Sequence, residues 1–307
     1  MTDLGAMAAD LGYRAGWAAV RWAPERAARG LFDRAGSYAG RRGGGPDQLR
    51  RNLARVLGVE PAQVPDDLVA DAMRSYARYW CEAFRLPTQD RATVTSTVAL
   101  PDEDRARLDA ALARGKGVIL ALPHTGNWDM AGVWLVHHYG RFATVAERLK
   151  PESLFNRFVA YRESLGFEIF PLSGGEQPPF GQLADRLRAG GIVCLLGERD
   201  IARHGVPVTF FGERTRMPAG SARLAMETGA ALMPVHHWFE EAPRSMMCCG
   251  EQIDVSGGIE AATQALADAF AVNIAAHPAD WHMLQPLWEN DWTDRQRGRV
   301  EQDGTPT

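Results

Sequence analysis

The stretch Leu-Pro-His-Thr-Gly-Asn-Trp-Asp, residues 122–129, joins the two patterns that decide the fold. Ahead of it, residues 117–122 (GVILAL) form a continuous apolar run, which is typical of a strand covered on both faces. After it, apolar residues recur at helical spacing over 130–137. The stretch therefore predicts a strand, a turn and a helix, with His124 at the carboxyl end of the strand. Open α/β sheets bind their ligands at that edge.

The same alternation of strand and helix continues toward the C-terminus. The predicted strands are 142–146, 167–172, 191–197, 206–211 and 231–238, and the predicted helices are 151–166, 180–187, 218–228 and 260–276. Residues 244–249 are expected to pair with the last of these strands. This order predicts an α/β fold in which a central, mostly parallel sheet is flanked by helices.

The N-terminal part, residues 1–90, has a helical pattern instead. Its clearest helix covers 66–84, where apolar residues recur at helical spacing after an acidic start. We expect a single domain over 1–292, made of this helical part and an α/β core over 91–292. Residues 293–307 are polar and are expected to form a frayed tail.

Composition excludes several classes of protein. The chain has 307 residues, 46% of them hydrophobic and 23% charged, as in globular proteins, and its net charge of −4 gives no reason to expect a nucleic acid partner. We find no apolar run of the roughly 18 residues that a membrane span needs. Asp3 and Asp10 disfavour a signal peptide. The four cysteines lack Cys-x-x-Cys spacing, which fits a reducing cytoplasm.

Positive charge is concentrated near the N-terminus. Residues 11–58 contain ten arginines and only three acidic residues. A helical face in this region combines apolar and basic side chains. Its members are Tyr13, Trp17 and Val20, with Arg14 and Arg21 at its edge. The pattern predicts attachment to an anionic membrane surface. The alternative is a solvated helix that docks on the core.

His124 and Asp129 are candidates for a catalytic pair. On one continuous helix, residues five apart point about 140° away from each other. A turn at 125–127 can instead bring the carboxylate back to the imidazole. That contact would orient one ring nitrogen and leave the other free as a general base. A purely structural hydrogen bond is the alternative.

Glu198 follows a second buried strand, in the sequence GERD of residues 197–200. If the two buried strands are parallel neighbours, Glu198 and His124 open onto the same edge of the sheet. A solvated loop is the alternative.

Arg162 falls inside the apolar stripe of the predicted helix 151–166. A bare charge directed into a core is costly, so this side chain is expected to meet an anion or a carboxylate. Alternatively, its aliphatic stem passes along the apolar edge and its charged head reaches solvent.

Several common functional motifs are absent from the sequence. It contains no G-x-S-x-G nucleophile elbow, no Walker loop and no H-E-x-x-H helix. The pairs His137-His138 and His236-His237 invite a metal site. However, adjacent residues of a strand point to opposite faces, so they are poor chelating partners. We expect no metal.

Four short motifs together resemble the bacterial lysophospholipid and lipid A acyltransferase superfamily. They are HTGNWD (124–129), GERD (197–200), FFG (210–212) and MPAG (217–220). The superfamily signature is a His followed five residues later by Asp or Glu. Longer blocks are similar to the phosphatidylinositol mannoside acyltransferases of mycobacteria and related actinomycetes. They are LPHTGNWDMAGVWL, TVAERLKPESL, YRESLGFE, FFGERTRMPAG, ETGAALMPV and PADWHMLQP. The similarity extends over about residues 10–292.

This resemblance implies a glycerophosphate-acyltransferase-like fold and a specific reaction. Enzymes of this kind move a fatty acyl group, such as palmitoyl, from acyl-coenzyme A to a mannose hydroxyl of a phosphatidylinositol mannoside. They act as peripheral proteins at the cytoplasmic face of the cell membrane. Acyl-coenzyme A is a co-substrate and no cofactor is implied, because the thioester is already activated. The groups that stabilise the tetrahedral oxyanion are not identified by the sequence.

The resemblance also implies roles for individual residues. His124 would deprotonate the sugar hydroxyl, Asp129 would orient the imidazole, and Glu198 would be a further acidic partner or would contact the acceptor. Arg162 would lie near the acyl-coenzyme A site.

Two more positions, His204 and Glu227, match residues used near the donor and complete the expected substrate-binding set with Arg162. His204 differs from the small polar residue expected there. Glu227, near a helix C-terminus, also fits solvated surface.

Two other functions stay open at this point. A lipid A-type or lysophospholipid acyltransferase would use the same chemistry with another acceptor or an acyl-carrier-protein donor. A non-catalytic lipid-binding module would keep only the fold. The intact HTGNWD and GERD motifs argue against that module, because binding alone needs neither.

Overall fold

A computed structural model describes residues 16–148, 152–174, 177–200 and 205–292. The strands are β1 (Val98–Ala99), β2 (Val118–Leu122), β3 (Ala143–Ala146), β4 (Glu168–Pro171), β5 (Ile192–Leu196), β6 (Val206–Phe210), β7 (Glu213–Met217), β8 (Ala231–Phe239) and β9 (Ser245–Cys249). Seven of them form one sheet in the order β1-β9-β8-β2-β5-β3-β4. Within it only the pair β8–β9 is antiparallel. The prediction of a mostly parallel sheet is confirmed.

Helices surround this sheet and build the N-terminal part. Residues 16–22 are helical, and the later helices are α1 (Glu25–Arg41), α2 (Asp47–Leu57), α3 (Asp66–Arg85), α4 (Arg91–Ser96), α5 (Asp102–Ala113), α6 (Trp128–Tyr139), α7 (Glu152–Ser164), α8 (Pro179–Arg188), α9 (Gly220–Thr228) and α10 (Ile259–Ala276). The elements predicted from periodicity are present within a few residues of their expected bounds. The sequence did not indicate α4, α5, β1 or β7, which are short or weakly patterned. The predicted strand β6 lies outside the large sheet and pairs antiparallel with β7.

The core lies in two layers, one on each face of the sheet. Successive residues of a strand point to opposite faces. In β2, Ile119 and Ala121 join the layer under α8, α9 and α10, whereas Val118 and Leu120 join the layer under α5, α6 and α7. This double burial explains why β2 is an unbroken apolar run.

The N-terminal helices pack closely on one another through glycines. A Cβ at Gly36 of α1 would lie 2.6 Å from the carbonyl oxygen of Met73, and one at Gly40 would lie 2.6 Å from the Cα of Ala70. Only glycine permits this approach of α1 to α3. The division of 1–292 into a helical part and an α/β core stays a prediction, and the expected tail 293–307 lies outside the described residues.

The strand register positions the site. β2 and β5 are parallel neighbours, with Leu122 opposite Leu196, so their carboxyl ends meet. On its other side β2 pairs with β8, which continues past the end of β2 as far as Phe239. The segments after β2 and β5 therefore share one edge of the sheet, and the longer β8 forms a wall beside them.

Candidate active site

His124 and Glu198 form a direct contact at this edge. Nδ1 of His124 lies 2.7 Å from Oε1 of Glu198, and the backbone N–H of His124 donates to the same oxygen at 2.6 Å. Because a carboxylate only accepts, the ring proton sits on Nδ1 and Nε2 keeps its lone pair. The side chain of Glu198 is fully buried and that of His124 is 22% exposed. The solvated-loop alternative for Glu198 is therefore wrong.

Asp129 has different partners from the one that its spacing predicts. Both residues of the expected pair are described, yet the carboxylate of Asp129 bonds elsewhere and not to the ring of His124. Its Oδ1 accepts from Nε of Arg162 at 2.9 Å, and its Oδ2 accepts from the hydroxyl of Tyr79 at 3.2 Å. Arg162 thus meets a carboxylate, as its position in an apolar stripe predicts. A charged donor holds a carboxylate more strongly than a neutral ring does.

The position at which α6 begins explains why Asp129 bonds to Arg162 and not to His124. The side chain of Asn127 accepts from the N–H of Met130 and caps α6, so the helix begins at Trp128. Asp129 then lies in the first helical turn, facing α3 and α7. His124 remains in the preceding loop, where its carbonyl oxygen accepts from the N–H of His282 at 2.8 Å.

Charge and burial act together on the acidic groups. Burial by itself would raise the pKa of Glu198, but attraction to His124 when that ring is protonated and the two hydrogen bonds from His124 outweigh burial and hold the pKa of Glu198 below its usual value. Burial likewise opposes the charge on Arg162, and Asp129 more than compensates, so the pKa of Arg162 is raised. Burial and the neighbouring Asp129 raise the pKa of Tyr79 well above normal. The carboxylate of Glu198 and the guanidinium of Arg162 are therefore both held in their charged forms.

Arg162 keeps hydrogen-bonding capacity in reserve. Within the described part of the chain, its only hydrogen bond runs from Nε to Asp129, so neither terminal nitrogen has a protein partner. The side chain is 19% exposed and lines a pocket. Its remaining N–H groups can bind an anionic oxygen there.

That pocket was not predicted from the sequence. It is mainly apolar and lies between α6 and one face of the sheet. Residues lining it include Leu120, Leu122, Ala131, Trp134, Leu135, Phe142, Phe167, Cys194, Leu196 and Met247. Asp129 and Arg162 supply its charged groups. Leu122 and Leu196, which line the pocket, are each two residues before a candidate catalytic residue, whereas His124 and Glu198 themselves do not line it.

The remaining candidate residues lie elsewhere. Glu227 is exposed on α9, where it pairs with Arg223 at 2.9 Å. It precedes the start of β8, which aligns with Val118 at the amino end of β2. Six residues of strand, roughly 20 Å, separate that end from His124. The structure does not bring Glu227 to His124, and its role stays a prediction. His204 lies outside the described residues.

The described residues contain no group of three or more His, Cys, Asp or Glu placed to hold a metal ion. The two histidine pairs considered from the sequence are separate features, one on α6 and one on β8.

Comparison with known proteins agrees with this geometry. A family model for bacterial lipid A biosynthesis acyltransferases matches residues 7–290. The chain belongs to that family. It is an acyltransferase, and the α/β fold is consistent with the family.

Two curated relatives of the chain are named phosphatidylinositol mannoside acyltransferase. The one from Mycolicibacterium smegmatis is 59% identical over 297 residues, covering 97% of each chain. The one from Mycobacterium tuberculosis is 57% identical over 293 residues, covering 95% of this chain and 92% of the relative. The resemblance drawn from the sequence motifs is confirmed. In the described parts of this acyltransferase, no helix is both long and apolar enough to cross a membrane.

Proposed function

We propose that this chain transfers a fatty acyl group from acyl-coenzyme A to a mannose hydroxyl of a phosphatidylinositol mannoside, with His124 as the general base. The observation that carries the proposal is the bond from His124 Nδ1 to the buried Glu198, on the two segments that directly follow the pocket-lining residues Leu122 and Leu196. The names of the two relatives support the choice of acceptor.

The base acts through the second ring nitrogen. Nε2 of His124 has no protein partner among the described residues, and the side chain is 22% exposed. It takes the proton of the sugar hydroxyl while that oxygen attacks the thioester carbonyl carbon. A C–O bond forms, the C–S bond then breaks, and the departing thiolate receives the proton from His124. Glu198 stabilises the imidazolium that exists between these steps.

Arg162 supplies the countercharge for the tetrahedral oxyanion. Arg162 lines the pocket, neither of its terminal nitrogens has a hydrogen-bond partner among the described residues, and Asp129 holds the guanidinium through Nε. A preorganised cation of this kind stabilises charge that develops only in the transition state. Asp129 is thus proposed to orient Arg162 instead of the imidazole.

The apolar pocket suits the acyl chain. Its lining is mainly apolar, and it includes Leu122 and Leu196, each two residues before a candidate catalytic residue. Burying a methylene group in such a site contributes about 0.8 kcal/mol. A long acyl chain would therefore bind strongly and place its thioester carbonyl at the mouth, near Arg162.

Attachment to an anionic membrane is proposed through a different surface from the predicted one. Trp17 cannot insert into lipid, because its Nε1 donates to the carbonyl of Phe84 and its ring packs on the core. On α1, however, Leu31 and Tyr38 are 64% and 63% exposed and share an outward face with Arg34. Apolar side chains bordered by arginines are typical of helices that lie on anionic interfaces. Tyr13 and Arg14 lie outside the described residues.

The reaction is tested by supplying palmitoyl-coenzyme A and, in parallel, a palmitoylated acyl carrier protein to a panel of acceptors. The panel contains a phosphatidylinositol mannoside, phosphatidylinositol, lysophosphatidic acid and a lipid A precursor, and products are identified by mass spectrometry. We expect transfer from the coenzyme A donor to the mannoside alone. Equal or faster transfer to another acceptor, or transfer only from the carrier protein, contradicts the proposal in favour of the lipid A-type or lysophospholipid alternative.

The membrane surface is tested by flotation with vesicles of phosphatidylcholine, with and without 30% phosphatidylglycerol in the mixture. The double variant Leu31→Ser/Tyr38→Ser should bind the anionic vesicles less than the wild type, and salt should weaken binding of both. Val272→Ser removes an equally exposed apolar side chain on α10 and serves as the control. Equal wild-type binding to neutral vesicles at every salt concentration contradicts the electrostatic part.

A further inference from the structure

We propose that His237 is a positioning residue for this acyl transfer: by accepting a hydrogen bond from the backbone of Asn127, it fixes the loop that carries His124. Nothing in the sequence motifs or in the relatives' names assigns this histidine a role. The proposal rests on the proposed function only for the activity part of its test.

Strand length places His237 beside the loop. Ala121 of β2 pairs with Pro234 of β8, and three residues further along each chain are His124 and His237. β2 has ended by then, whereas β8 continues. The loop after β2 therefore lies against strand β8, at the level of His237.

Two hydrogen bonds define which ring nitrogen of His237 carries the proton. The backbone N–H of Asn127 donates to Nδ1 at 2.8 Å, and Nε2 lies 3.0 Å from Oγ of Ser245. Since Nδ1 accepts, the ring proton is on Nε2, which donates to the serine hydroxyl. Burial lowers the pKa of His237 to about 3, and the nearby His236, Arg78 and His282 act in the same direction. The ring thus stays neutral, with its acceptor directed at the loop.

The backbone of the loop lies directly against the ring of His237. A Cβ at Gly126 would lie 2.2 Å from Nδ1 of His237 and 2.6 Å from its carbonyl oxygen. Gly126 also has a φ of +54°, which disfavours other residues. The glycine of HTGNWD is therefore required by the close approach of the loop to His237.

Asn127 connects the loop to α6 and to Glu82 of α3 as well as to His237. It is fully buried, and its backbone N–H has no other acceptor in the described part of the chain. Its side chain caps α6 and also donates to Glu82 at 3.0 Å. Removing the acceptor on His237 leaves a buried donor unpaired, and the loop must shift to satisfy it. A displacement of about 1 Å at a catalytic group can cost about 10²-fold in rate.

The neighbouring His236 provides a matched comparison. It is equally buried and points to the opposite face of β8, where its ring stacks 5.7 Å from that of His277. Neither of its ring nitrogens has a hydrogen-bond partner among the described residues. The two histidines share strand and burial, but only His237 holds the catalytic loop.

The experiment compares His237→Leu, His237→Asn and His236→Leu. Leucine fills space but accepts nothing, whereas the asparagine oxygen can reach the position of Nδ1. Single-turnover transfer, the KM for the donor, thermal melting and hydrogen–deuterium exchange of peptides covering 125–130 are measured for each. We expect His237→Leu to lose at least tenfold in kcat with the donor KM unchanged within twofold, and to exchange faster at Asn127.

Recovery of kcat by His237→Asn distinguishes a positioning role of His237 from a role in stability alone. His237→Asn should recover kcat to within about threefold of the wild type even if it melts lower, and His236→Leu should retain full kcat. The proposal is overturned if His237→Leu keeps its kcat, if His237→Asn is as slow as the leucine variant, or if His236→Leu slows transfer equally. Exchange at 125–130 does not need an active enzyme. A wild type that is inactive toward the mannoside therefore refutes the proposed function, whereas unchanged exchange in His237→Leu refutes this inference.

Discussion

Replacing Glu198 by glutamine would separate the charge of this side chain from its shape. Oε1 accepts both the ring N–H and the backbone N–H of His124, whereas Oε2 is buried with no partner among the described residues. In the glutamine variant the amide oxygen can take the position of Oε1 and keep both hydrogen bonds. The amide NH₂ then takes the position of Oε2, where it replaces no hydrogen bond among the described residues. The ring tautomer is therefore retained and only the charge is lost.

The size of the effect follows from the distance. Two unit charges about 4 Å apart interact by about 4 kcal/mol at an effective dielectric constant of about 20. With a tenfold change in rate for each 1.36 kcal/mol, loss of a full imidazolium–carboxylate interaction slows kcat by about 10³-fold. If only half of the charge has developed in the transition state, the loss is about 30-fold. Glu198→Leu also removes the acceptor for the tautomer and should be slower still.

The assay is rapid-quench transfer at saturating donor, with donor affinity measured by calorimetry and folding by thermal melting. Glu168→Gln is the matched control, because it removes a surface carboxylate that pairs with Arg186. We expect donor affinity to be unchanged in both variants. The electrostatic reasoning is refuted if Glu198→Gln stays within threefold of the wild-type kcat. A His124→Ala variant that keeps more than about a tenth of wild-type transfer would refute the general-base mechanism itself.

Three further results are expected. The pKa of Glu198 is lower in the folded protein than its usual value of 4.5, so at pH values above 4.5 the carboxylate stabilises the wild type relative to Glu198→Gln. The difference in melting temperature between the two proteins should vanish as the pH falls through the lower, folded pKa. Arg162→Met should destabilise the fold by about 3 kcal/mol in urea because Asp129 stays buried and unpaired, and Asp129→Asn/Arg162→Met should recover part of that loss. Ala131→Phe should obstruct the apolar pocket and lower kcat/KM for palmitoyl-coenzyme A more than for butyryl-coenzyme A; equal losses would place the acyl chain elsewhere.

The sequence predicted the position of His124 and Glu198 because both follow buried apolar strands. That pattern is local, and parallel strands that are neighbours bring their carboxyl ends together. The partner of Asp129 could not be predicted in the same way. Its choice depends on where α6 begins, which the cap at Asn127 decides, and on Arg162, which lies 33 residues further along the chain. A spacing of five residues between His124 and Asp129 shows neither where the helix begins nor which distant charged side chain lies close to Asp129.

The membrane-facing surface was harder to predict for a physical reason. An apolar helical face can bind lipid or pack on the protein core, and periodicity is the same in both cases. Trp17 faces the core in the structure, whereas Leu31 and Tyr38 do not. The apolar pocket under α6 was missed because each of its lining residues has the signature of ordinary core.

The length of β8 has a consequence for how the enzyme loses activity. Residues 124–127 are bonded on one side to His237 and on the other to the segment 280–282, through the N–H of Gly126 and the carbonyl of His124. Because β8 is an internal strand of the sheet, we expect the loop to open together with the core of the fold. The catalytic loop should therefore not fray ahead of the fold during heating. Residual activity and residual native structure should decline together along the same melting curve.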